Sequence, residues 1–138
     1  MSRFDAAVIG SGPNGLSAAV ALAQTGRSVV VYEAGATIGG SARTAALTLP
    51  GFRHDICSSI HPMAAASPFF NTLPMSDHGL HWVHPPAPLA HPFDDAPPVM
   101  LERTIEATAA TLGKDGPRYA RWMKPMVAQW PALCADAL

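Results

Sequence analysis

Charge is scarce in this chain. Only 14% of its 138 residues are Asp, Glu, Lys or Arg, nine basic against ten acidic, for a net charge of −1. That balance leaves no basic surface for a nucleic-acid backbone or a polybasic membrane contact. Cysteine is scarcer still. Cys57 and Cys134 stand far apart without a CxxC partner, which argues against a disulfide framework and for reduced, inert thiols in a cytoplasmic protein. No apolar run approaches the roughly 20 residues that span a bilayer. The stretch from Leu16 to Ala23 could pass for a signal-peptide core, but it follows a glycine turn and lacks a basic region of its own. There is no HExxH, no Cys/His set at ligand spacing and no GxSxG elbow. Six histidines are present, at positions 54, 61, 78, 81, 84 and 91. His81 and His84, three apart in a strand, would point to opposite faces, and His54 and Asp55 likewise diverge. They read as scattered loop histidines, with no metal site and no catalytic side chain among them.

What the chain does have is apolar content, 49%, and an ordered run of glycines. Phe4-Asp5-Ala6-Ala7-Val8-Ile9 reads as a short buried parallel strand. Gly10-Ser11-Gly12-Pro13-Asn14-Gly15 follows, then a helix over 14–25 with Leu16, Ala19, Val20, Leu22 and Ala23 on one side, stopped by Gly26. Ser28-Val29-Val30-Val31-Tyr32 is a second strand, closed by Glu33. In this GxGxxG pattern Gly10 turns the chain out of the strand, where a side chain would clash. Gly12 leaves the backbone N–H groups open to a pyrophosphate, and Gly15 lets helix and strand pack closely. Pro13 suits the first helical turn, whose N–H groups have no intrahelical partner. Those N–H groups and the helix dipole favour phosphate. Glu33 lies about 20 residues on, where an acid accepts hydrogen bonds from a ribose, and its charge disfavours a 2′-phosphate and hence NADP. The pattern describes a site for an adenine dinucleotide.

After Glu33 the chain continues Ala34-Gly35-Ala36-Thr37-Ile38-Gly39-Gly40-Ser41-Ala42-Arg43-Thr44. This resembles the paired-glycine motif of the flavoprotein group that includes amine oxidases, protoporphyrinogen oxidases and phytoene desaturases. Gly39, Gly40 and Thr44 match the group's pattern; Thr37 and Ser41 depart from it and leave Arg43 as the nearby cation. The run from Leu49 to Pro62, with Ser67-Pro68-Phe69-Phe70 and Gly79-Leu80, is similar to the N-terminal part of phytoene-desaturase-like FAD-dependent oxidoreductases. The resemblance extends from Asp5 to about Tyr119. It implies FAD as the cofactor, redox chemistry on a small-molecule substrate, lipophilic or of a class left open, and a full length several times this one. The residues it assigns to the cofactor are Gly10, Gly12, Pro13, Asn14, Gly15, Glu33, Ala34, Gly39, Gly40, Arg43 and Thr44. No transmembrane segment is expected, and peripheral membrane contact stays open.

Past Asp55 the organisation changes, with most of the fourteen prolines beyond residue 50. Leu80–His84 and Pro98–Leu101 read as short strands, with Leu89–Phe93 and an Asp94-Asp95 turn between them. Thr104 reads as the cap of a helix to Leu112, with Gly113 beyond it. A second helical stretch begins near Pro117, kinked or divided by Pro125 and Pro131. The expected class is α/β: a Rossmann-like βαβ start that binds the ADP part of FAD over 1–60, then part of an antiparallel and helical substrate domain over 61–138. With only two parallel strands legible, the chain reads as the N-terminal portion of a larger enzyme, inactive alone. An NAD-binding dehydrogenase segment and a non-catalytic nucleotide-binding remnant are the competing readings.

Overall fold

The computed structural model describes residues 3–137. The chain divides into two compact units, the first ending at His61 and the second starting at Pro62.

The first unit is α/β. Strand β1 (Ala6–Ile9), helix α1 (Pro13–Gln24) and strand β2 (Val29–Tyr32) follow in order, and the strands pair in parallel with Ala6 opposite Val29 and Ile9 opposite Tyr32. Gly10 N–H extends the ladder to the Tyr32 carbonyl at 2.7 Å. An acid–serine pair holds each end. At the strand starts, Asp5 Oδ2 accepts from the Ser28 N–H (2.9 Å) and hydroxyl (2.7 Å); these bonds hold the Asp5 carboxyl below its usual pKa. Glu33 and Ser11 form the matching pair at the other end.

Helix α1 ends where expected: Thr25 is its C-cap, and Gly26 sits in the left-handed region at φ +81°. Ala19 is buried and Leu16 and Leu22 are half-buried, whereas Val20 and Ala23 face solvent. The buried face is thus narrower than the sequence suggests, because a two-stranded sheet offers little surface to cover. Next comes a hairpin that the sequence reading lacks, β3 (Thr44–Ala45) against β4 (His54–Asp55), antiparallel, with Thr44 opposite Asp55. Two-residue strands are too short to register as an alternating pattern.

The second unit opens with helices α2 (Pro62–Ala66) and α3 (Pro68–Asn71), the latter capped by Ser67, and a 3₁₀ turn over Met75–His78. The strand expected at Leu80–His84 does not form; those residues are irregular. Pro85 and Pro86 supply no N–H with which to extend a ladder. Strand β5 forms instead at Leu89–His91 and pairs antiparallel with β6 (Val99–Leu101). Helix α4 (Ile105–Thr111) is capped by Thr104, whose hydroxyl accepts from the Ala107 N–H at 3.1 Å. Helix α5 (Gly116–Ala128) follows and carries Pro125 without breaking, and α6 (Trp130–Ala137) holds Pro131 in its first turn. The division therefore falls at Gln129, because Pro131 fits the start of a helix and resists a position inside one.

Little is buried in either unit. Ala19 is the one apolar residue below a tenth exposed among the described residues, and Ile9 at the end of β1 is 81% exposed.

Candidate functional site

The turn after β1 is built from backbone. Gly10 adopts φ +92°, a left-handed conformation that disfavours side chains. A Cβ there would meet nothing within 4 Å, so the requirement is conformational, and the clash expected from the sequence is absent. Gly15 is the sterically constrained glycine: a Cβ would fall on the Gly10 carbonyl oxygen and lie 3.5 Å from Val8 Cγ1. Gly12 is the N-cap of α1 at φ −68°, with Pro13 in the first turn and the Gly12 carbonyl accepting from Leu16 N–H at 2.9 Å. The Asn14 and Gly15 N–H groups precede that first helical bond and form the positive end of α1. Asn14 is exposed.

The second glycine loop lies directly against the first. Gly39 N–H donates to the Ser11 carbonyl at 3.0 Å. Gly39 and Gly40 are both left-handed, at φ +109° and +59°, and a Cβ on Gly40 would lie 2.9 Å from the Gly12 Cα. Gly12 and Gly40 thus touch backbone to backbone, an approach open only to glycine at position 40. Seen from the other side, a Cβ on Gly12 would reach the Gly40 Cα at 3.9 Å, an ordinary contact.

Glu33 completes the cluster. Its Oε2 accepts from the Ser11 N–H at 2.8 Å and from the Ser11 hydroxyl, and its Oε1 accepts from Gly35 N–H at 2.7 Å. The Ser11 hydroxyl, then the Gly35 and Ser11 N–H groups, with a smaller part from the Ala34 N–H, hold the carboxyl down at about 2. Glu33 is therefore an anion across the physiological range, with an exposed side.

Gly10, Gly12, Pro13, Asn14, Gly15, Glu33, Ala34, Gly39 and Gly40 form one cluster. Arg43 and Thr44 make side-chain contacts of their own. Arg43 Nε donates to the Gly40 carbonyl at 2.6 Å and Nη1 to Thr37 Oγ1 at 3.0 Å, bracing the second loop. Thr44 Oγ1 donates to Asp55 Oδ1 at 2.7 Å within the hairpin. Ser11 is the residue that sequence reading missed. It fills a variable position of the motif, and the signal lay in its being a small polar residue beside an acid-closed strand. Among the described residues, no group of three or more His, Cys, Asp or Glu could hold a metal ion, and no helix is long and apolar enough to cross a membrane.

Residues 8–73 match the family model of an NAD(P)-binding Rossmann-like domain. The chain is 39% identical over 85 residues to a soluble pyridine nucleotide transhydrogenase of Hamiltonella defensa, covering 60% of this chain and 16% of that protein. It is 25% identical over its whole length to a limonene dehydrogenase component of Castellaniella defragrans, covering 25% of that protein. The chain thus spans about a sixth to a quarter of the length of the curated relatives it matches. The first unit has the parallel βαβ start of a Rossmann-like fold, in line with the family match.

Proposed function

We propose that this chain holds the ADP portion of FAD in an FAD-dependent oxidoreductase of the phytoene-desaturase type. The observation that carries this reading is the contact between the two glycine loops, Gly39 N–H on the Ser11 carbonyl and Gly40 against Gly12. A nicotinamide fold needs only the first loop; a second loop pressed on the diphosphate turn is the feature shared with the flavoprotein group. The residues present suit the cofactor. The first turn of α1 offers unpaired N–H groups to a diphosphate beside a Gly12 without a side chain, and ionised Glu33 offers an acceptor to a ribose. FAD, when bound, supplies the redox chemistry, and this chain's own residues bind and orient its adenosine end.

The substrate class we infer is small and lipophilic. The relation to a dehydrogenase named for limonene, a hydrocarbon, supports it along the whole chain. A second reading, NAD as the bound dinucleotide, draws on the family match and on the transhydrogenase relative. Fluorescence titration with FAD, NAD and NADP separates the two. FAD binding at least tenfold tighter than NAD is expected, with NADP weakest because its 2′-phosphate meets the Glu33 carboxylate. Tighter binding of NAD than of FAD would favour the second reading.

A further inference from the structure

Ser11 sits at a position where the glycine motif specifies no side chain, yet it is 1% exposed and touches all three parts of the cluster. Its N–H and hydroxyl both donate to Glu33 Oε2, and its carbonyl accepts from Gly39 N–H. A carboxylate has about four lone-pair sites. Ser11 fills the two on Oε2, and Gly35 N–H takes one on Oε1 at 2.7 Å. The Ala34 N–H approaches the carboxyl more weakly and forms no full hydrogen bond to it, so one acceptor site remains, on Oε1.

We infer that Ser11 is a positioning residue for nucleotide recognition, locking the Glu33 carboxylate so that a single Oε1 acceptor is left for one ribose hydroxyl. The inference rests on the dinucleotide reading above and adds a consequence to it. The two ribose hydroxyls become unequal, and the acid stays ionised well below neutrality. The groups that depress the Glu33 carboxyl are Ser11, Gly35 and Ala34, with no charged side chain among them, so the clamp itself sets its ionisation. Asp5 and Ser28 form the same acid–serine pair at the far end of the strands, which makes Ser28→Ala a matched control.

Two measurements test the inference on the chain as it stands. The first follows the Glu33 carboxyl by ¹³C NMR titration without nucleotide. Ser11→Ala should raise its pKa from about 2 toward the ordinary 4.5, and Ser28→Ala should leave it in place. The second is titration with ADP. Ser11→Ala should weaken binding roughly three- to tenfold, the worth of one hydrogen bond, with a further loss on going from pH 7 to pH 4 that the wild type does not share. In a Glu33→Ala background Ser11→Ala should cost nothing more. Of the 2′-deoxy and 3′-deoxy forms of ADP, only one should bind markedly worse. An unmoved Glu33 pKa, the same Ser11→Ala loss with and without Glu33, or equal losses for both deoxy forms would overturn the inference while leaving the dinucleotide reading intact. A wild-type chain that binds neither ADP nor FAD would overturn that reading and the inference together.

Discussion

The two units solve the same packing problem at one point and differ almost everywhere else. In the first, a Cβ on Gly15 would land on the Gly10 carbonyl oxygen; in the second, a Cβ on Gly116 would land on the Ala109 carbonyl oxygen. Each glycine lets a helix start against a neighbouring backbone, α1 against the turn after β1, and α5 against α4. Around Gly15, however, the chain adds further backbone constraints: left-handed Gly10, Gly39 and Gly40, a hydrogen bond from Ser11 N–H to Glu33, and one from Gly39 N–H to the Ser11 carbonyl. Around Gly116 the supports are side chains, chiefly buried Thr108, whose hydroxyl takes the Glu102 N–H at 2.9 Å. Beyond it, Trp122, Met126, Val127 and Leu133 are all more than half exposed. A site made of main-chain groups needs little apolar burial to hold its form, whereas a unit of short helices takes its stability from packing.

The largest effect expected is therefore at Gly15. Gly15→Ala drives a methyl into a backbone carbonyl that has no rotamer to escape through, at a cost of about 3 kcal/mol. Nucleotide binding should disappear, together with the exchange protection of 6–32. Gly116→Ala makes the comparison sharp: protection should be lost over 105–128. Retention of FAD binding by Gly15→Ala would break the claim that this glycine sets the turn.

Gly12→Val ranks next and acts on binding alone. Gly12 has ordinary dihedrals and room for a Cβ at 3.9 Å from Gly40, so the fold should persist by circular dichroism. The branched side chain would stand over the diphosphate-facing N–H groups, and FAD affinity should fall by more than about a hundredfold. Equal FAD affinity in wild type and variant would move the diphosphate elsewhere.

Glu33→Ala is a smaller change, roughly ten- to a hundredfold in FAD affinity, as for a hydrogen bond to a charged group. It also carries a pH signature. The Glu33 carboxyl is depressed from 4.5 to about 2, so its contribution to stability is complete above about 4.5 and is lost as pH falls through about 2. Acid unfolding of wild type and Glu33→Ala should converge at the acid end of that window and separate above it. Curves that stay parallel across the window would contradict the Ser11–Glu33 clamp.

Most of the first unit was legible because its signals are local: a strand, a glycine turn, a helix stop and a closing acid fix each other's spacing. Gly10 through Gly15 and Glu33 come together in space for that reason. Ser11 escaped because its role depends on a residue 22 positions away, and a small polar side chain at a variable position of the motif is a weak signal for it. The contact of Thr44 with Asp55 was hidden because the β3–β4 hairpin has strands too short to leave a period. In the second unit the capped helix at Thr104 was readable, and the strand was misplaced to Leu80–His84. Pro85, Pro86 and Pro88 punctuate that passage heavily, and the apolar runs on both sides look alike; β5 pairs only because β6 lies within reach across a short loop.

The smallest effect comes from that readable cap. Thr104 closes α4 in two ways, its hydroxyl accepting from Ala107 N–H at 3.1 Å and its carbonyl accepting from the Thr108 N–H and hydroxyl, each at 3.1 Å. Thr104→Ala removes the first and leaves the second, for a loss of about 1 kcal/mol. In a seven-residue helix that loss should appear as faster amide exchange at 105–108. Thr104→Asp should restore protection, because a carboxylate caps equally well and complements the helix dipole. An unchanged exchange rate in Thr104→Ala would mean that Thr108, anchored to Glu102, holds the start of α4 by itself, and the second unit would then be more dependent on side-chain anchors than its caps suggest.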